Sequence, residues 1–135
     1  MPYNILEETV AWLSTMGLRA STRPPKDAPE SPSEFVTVEL VGGDVRDLVD
    51  HPRLAIQCWG PNEYVASSMA EAVKVAALTG PLPRGVHRFE VDTRPYRFYD
   101  ESTRCPRYQL VIDATCQLVD EDEAQENPHQ NPNIE

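Results

Sequence analysis

The sequence predicts an α+β fold, a mainly antiparallel four-stranded sheet with two helices packed on one face. Three observations predict it. Apolar residues keep helical spacing in two stretches and alternate with period two in strand-like stretches between and after them. The order is helix, strand, strand, helix, strand, strand, so neighbouring strands can pair directly and both helices can share a face. The chain has 135 residues, 40% of them apolar, which is material for one core and little for a second. Residues 1–119 are accordingly read as a single domain and residues 120–135 as an acidic, flexible tail.

Asn4 followed by Glu7 has the form of a capping box. Leu6, Val10 and Leu13, widened by Ile5 and Met16, then make the apolar stripe of a short helix over about residues 4–16. Gly17 stands where a glycine would end it. Residues 21–33, STRPPKDAPESPS, hold four prolines and no apolar period, and read as a long Pro-rich loop or arm. FVTVELV, residues 35–41, reads as a strand stopped by Gly42-Gly43, and the acidic stretch from Asp44 to Pro52 as a turn. Leu54 to Trp59 is a second strand, closed by Gly60-Pro61.

Pro61 suits a first helical turn. Val65, Met69, Val73 and Ala76 keep helical spacing beyond it, with Ala66, Ala70 and Ala77 alongside, until Gly80-Pro81 ends the helix. Residues 86–93 alternate as a third strand. The fourth runs from Tyr108 to Leu118 and puts Tyr108, Leu110, Ile112, Ala114, Cys116 and Leu118 on one face.

Charge and cysteine usage narrow the function. The net charge is −10, from 22 acids and 12 bases. Six of those acids lie in residues 120–135 with no Lys or Arg, so the body carries −4. Such a chain repels polyphosphate, which argues against general DNA binding. Cys58, Cys105 and Cys116 have no zinc spacing and an odd count, so free, buried thiols in a reducing compartment are expected. No apolar run approaches the roughly 20 residues of a membrane span. MPYNILEETV lacks the basic start of a secretory signal.

The motifs of chemistry are sparse. Gly42-Gly43 lacks the Lys-Ser or Lys-Thr of a phosphate loop. Asp50, His51 and Cys58 form no recognisable nucleophile and base, and the acidic run from Asp120 to Glu123 lacks calcium-loop spacing. No catalytic, cofactor-binding or metal residue is assigned, and no enzyme is expected. The informative stretch is residues 94–107, RPYRFYDESTRCPR, an Arg/aromatic hairpin between the last two strands. Arg94, Tyr96, Arg97, Phe98, Tyr99, Arg104 and Arg107 are the candidate subunit or ring interface, since arginine and aromatics dominate buried protein contacts. Two other uses stay open: aromatics folded back on the sheet, or nucleic-acid stacking, which Asp100 and Glu101 weaken.

The ordered pieces resemble the tail terminator, or tail completion, proteins of long-tailed actinobacterial phages. The resemblance lies in the early helix, FVTVE…GG, the LAIQCWGP strand entering an Ala-rich helix, and the closing RYQLVIDAT strand. It spans about residues 4–118 and rests on order and spacing; the 21–33 stretch and the acidic tail have no place in it. It implies a structural virion subunit that assembles with itself as a ring, typically a hexamer. Such a ring caps the tail tube, ends its polymerisation and meets the head connector. Partners would be the tail-tube and head-to-tail connector proteins, with DNA only in transit and no membrane. The place would be the head-tail junction, after assembly in the host cytoplasm. Another connector or tube subunit, or a small α+β ligand-binding domain or enzyme, are the alternatives.

Overall fold

Asn4 starts the first helix as the spacing predicts. In the computed structural model, which describes residues 2–24, 34–98 and 105–119, helix α1 spans Ile5–Thr15. The Asn4 side chain accepts the backbone N–H groups of Leu6 and Glu7 at 3.0 and 3.2 Å. At the other end Gly17, at φ +81°, donates to the Ser14 carbonyl and Leu18 to the Leu13 carbonyl. That pair of bonds is a Schellman stop, and it needs a residue at ease in the left-handed region.

The chain then does something the sequence does not announce. Ala20–Ser21 form a two-residue strand β1, parallel to the start of β2, Phe35–Arg46. Two residues cannot display a period, and Ser21 opens a stretch whose prolines argue for loop. With β3 at Val49–Trp59, β4 at Val86–Arg97 and β5 at Arg107–Cys116, the sheet has five strands in the order β1-β2-β3-β5-β4. It is therefore mixed and open, against the four-stranded, mainly antiparallel expectation. The pairs after the first are antiparallel.

A second correction concerns Gly42-Gly43, which do not stop the strand. β2 continues through them to Arg46 with a register shift between Leu40 and Gly42, and β3 begins at Val49. The expected turn over 44–52 shrinks to Asp47-Leu48, at φ +53° and +64°. A Cβ on Gly43 would lie 2.1 Å from the His51 carbonyl oxygen, so here the glycine serves close strand approach.

Helix α2 spans Glu63–Thr79, with the Asn62 side chain accepting the Val65 N–H at 2.9 Å. Asn62 is the cap, so Pro61 lies before the helix and not in its first turn. β4 runs past Thr93 to Arg97 and takes in the first part of the expected Arg/aromatic hairpin. Its Pro95 is tolerated because β4 is an edge strand. A register shift between Val86 and Arg88 lets Val86 and Phe89 both be buried despite their opposite parity.

One main core results. Ile5, Trp12 and Leu13 of α1 and Met69, Ala70, Val73 and Ala77 of α2 cluster with Val36, Val38, Leu54, Ile56, Cys58, Leu110 and Ile112. Those strand residues share one sheet face, and both helices pack on it. Trp12 joins the layers: its indole N–H donates to the Pro81 carbonyl at 2.8 Å, and its ring meets Phe89 edge-on at 5.3 Å. The rest of the Pro-rich arm (25–33), Tyr99, Arg104 and the acidic tail (120–135) lie outside the described residues.

Candidate functional site

The opposite face of the sheet gathers part of the candidate interface. Strand register sets Phe35, Trp59 and Arg107 in one row, and Thr37, Gln57, Gln109 and Tyr96 in the next. In the first row Phe35 stacks on Trp59 at 5.1 Å, and the Arg107 guanidinium lies 4.3 Å from the Trp59 ring centroid. Phe98 supplies a second aromatic ring 4.5 Å from Arg107. In the second row the Gln57 amide donates to Gln109 at 2.7 Å, and the Gln109 amide donates to the Tyr96 hydroxyl at 2.5 Å. The rows are cross-linked by Trp59 donating to Thr37 at 3.2 Å and Arg107 donating to Gln57 at 3.1 Å.

This is a hydrogen-bonded ladder, not a cleft. Arg107 is only 8% exposed, so its charge serves the interior of the subunit. Arg94 and Arg97 turn instead toward α2, pairing with Glu71 at 3.7 Å and Glu63 at 2.9 Å. Lys74 and, less strongly, Arg94 hold the Glu71 carboxyl below its usual range. The structure therefore brings Tyr96, Phe98 and Arg107 together and sets Arg94 and Arg97 apart at the sheet edge. Phe35, Thr37, Gln57, Trp59 and Gln109 were missed by sequence reasoning. The available signal was the second parity of each strand, where aromatics and amides alternate with core residues.

Two surfaces stay open. Beyond the main sheet, the β2–β3 arm has eight consecutive exposed residues, 41–48. It shows Val41, Val45 and, at its tip, Leu48, 84% exposed. On α2, Tyr64, Val75 and Leu78 are exposed, and helical geometry puts them on one stripe opposite the buried alanines. Between α1 and the α2–β4 connection lies a groove of about 370 Å³, lined by Ala11, Trp12, Met16, Ala76 and Leu82 with Glu8 and Arg84 at its rim. A second cavity of about 410 Å³ at the base of the arm mixes Arg46 and Arg53 with Asp44, Glu90 and Asp113. Arg46 already pairs with Asp44 and Arg53 with Asp113 there.

The thiols are all buried. Burial pushes Cys58 up to about 12, and burial with nearby Asp50 does the same to Cys116. Cys105 is raised by burial as well. Such thiols stay protonated near neutrality and are poor nucleophiles. Asp50 approaches Cys116 at 4.0 Å, whereas His51 faces Thr115 at 3.5 Å. Neighbours in sequence thus point to opposite faces. Among the described residues no cluster of His, Cys, Asp and Glu is arranged to hold a metal ion, and no helix is long and apolar enough to cross a membrane. Comparison of the chain with protein-family models and with curated proteins finds no match.

Proposed function

We propose that the chain is a tail terminator subunit, a structural virion protein. It forms a ring, six-membered by the family resemblance, on the end of the tail tube. There it ends polymerisation, meets the head connector and lets DNA pass. The resemblance of the sequence supports the family. The single observation that carries an assembling function is the set of exposed apolar side chains, Val41, Val45 and Leu48 on the β2–β3 arm and Val75 and Leu78 on α2, left uncovered by one small subunit. Apolar patches of this kind mark protein contacts. A ring closed by head-to-tail contacts needs two different surfaces on each subunit, which a two-fold dimer does not.

The ladder face fits the same reading as scaffold. It stiffens the sheet from which the arm projects, because hydrogen bonds and stacked rings cross-link its strands. The test is electron microscopy of the purified full chain, alone and with its tail-tube protein. Rings seated only at tube ends are expected. A chain that stays monomeric with and without tubes, or that decorates the tube wall, would refute the terminator reading.

A further inference from the structure

The two ends of the described chain meet beside the start of β4. Pro2 and Val119 form an isolated antiparallel bridge, and the Tyr3 N–H donates to the Leu118 carbonyl at 3.1 Å. The Tyr3 hydroxyl donates to the Arg84 carbonyl, in the α2–β4 connection. Its ring lies so close on Gly85 that an added Cβ there would collide with a ring carbon. The Gly85 carbonyl in turn accepts the Gln117 N–H at 3.1 Å. On the rim of the α1 groove the Arg84 guanidinium pairs with Glu8 at 2.7 Å. One side chain, Tyr3, thus ties together three segments far apart in sequence.

This cluster is set apart from the core. Tyr3 is half-buried, and its neighbours Pro2, Arg84 and Val119 are exposed. A register shift between Val86 and Arg88 interrupts the β4–β5 ladder just inside it, so the strands beyond need not move with it. The Gln117 side-chain nitrogen is buried there with no acceptor among the described residues. That unmet donor penalises the closed arrangement, and water satisfies it on opening. We propose that residues 2–3, 84–85 and 117–119 form a latch, closed by Tyr3, that opens as one unit while the sheet and both helices stay folded. Local opening is drawn from such places, where buried contacts are few and hydrogen bonds lie near solvent. The acidic stretch follows Val119 directly, so the closed latch holds its root beside the N-terminus. Arg84 belongs to both latch and groove rim. A partner that grips either chain end therefore acts on the groove, and by linkage the reverse holds.

The experiment is native-state hydrogen exchange of the full chain, followed by NMR in low denaturant. The Tyr3 and Gln117 amides should exchange at one common rate, faster than those of Ile56 and Ile112 in the central strands. Tyr3→Phe removes only the hydroxyl. It should speed both latch amides by about fivefold, the size of one ordinary hydrogen bond, and leave Ile56 and Ile112 unchanged. Gly85→Ala, which drives a Cβ into the Tyr3 ring, should speed the same pair more. Glu8→Lys sets like charges on the groove rim and should also speed Tyr3 and Gln117 together. Exchange of Tyr3 and Gln117 at the rate of Ile56 in the unaltered chain would overturn the separate latch. So would a Tyr3→Phe effect confined to the Tyr3 amide. Latch amides indifferent to Glu8→Lys would overturn the link to the groove.

Discussion

The guanidinium of Arg107 lies 4.3 Å over the ring of Trp59, one strand away in register, inside the helix-free face of the sheet. A buried cation is costly unless its surroundings replace water. Here the Trp59 and Phe98 rings provide the faces and Gln57 an acceptor. Arginine suits the place because its flat, weakly hydrated group stacks while its N–H groups still donate in plane.

The first prediction follows. Arg107→Ala removes a desolvated cation–π contact and the shorter of two hydrogen bonds to the Gln57 carbonyl oxygen, a combined cost of about 3 kcal/mol. Arg107→Lys keeps the charge but not the plate, and should recover less than half of that. Urea denaturation measures both. A loss below about 1 kcal/mol in the alanine variant, the size of one ordinary hydrogen bond, would mean that the stack is incidental.

The second concerns two glycines at positive φ whose surroundings differ. Gly17 is at φ +81° with nothing within 4 Å of an added Cβ, so Gly17→Ala should cost about 1 kcal/mol of backbone strain. Gly43, at φ +113°, would drive a Cβ into the His51 carbonyl and the Pro52 backbone. Gly43→Ala should therefore cost clearly more and loosen the arm before the core. Tm values order the two variants, and hydrogen exchange locates the loss; equal effects would contradict the close-approach account.

Much of this architecture is legible in the sequence, and the failures share a cause. Asn4, Gly17 and the alanines of α2 act through neighbours a few residues away, so local pattern reveals them. The same holds for Leu110, Ile112, Ala114 and Cys116, whose period of two survives because β5 lies between two strands. β1 depends on a partner sixteen residues downstream and has no period of its own. The arm was hidden because Gly42-Gly43 and Pro52, ordinarily stop signals, sit at a bulge where they are accommodated. Of the candidate interface, composition alone flagged the Arg/aromatic stretch. It could not say that Arg107 turns inward while Arg94 and Arg97 turn to α2, because that depends on register with β5 and on the placement of a helix.

The third prediction is an alkaline loss of stability. Burial lifts the Cys58 thiol from an ordinary value of 9.0 to about 12, and raises Tyr3 in the same direction. The protonated thiol is favoured by the fold, so this contribution is complete below pH 9 and is lost as pH climbs toward 12. The slope from Cys58 approaches about 1.4 kcal/mol per pH unit. Denaturation midpoints measured from pH 8 to 11 should fall, and Cys58→Val should flatten the decline. A thiol reagent at pH 8 should label Cys58 only after unfolding; rapid labelling of the native chain would contradict its burial.

The last prediction is that the isolated chain does not grip duplex DNA. Tight nonspecific binding needs a row of bases free to displace counterions from phosphate. Most of the described arginines are engaged otherwise. Arg94 and Arg97 face Glu71 and Glu63, Arg88 faces Glu90, and Arg53 sits between Asp113 and Asp92. Arg107 is inside the sheet face. Exposed pairs of this kind add little to stability, but they cancel the field a phosphate would meet. With the body net negative as well, affinity at 50 mM salt should be weaker than about 10 μM, within the nonspecific range. Removing the opposing carboxylates by Glu63→Gln with Glu71→Gln should strengthen binding and steepen its salt dependence. Submicromolar affinity in the unaltered chain, falling steeply with salt and abolished by Arg97→Ala with Arg104→Ala, would replace a passive conduit with an active DNA clamp.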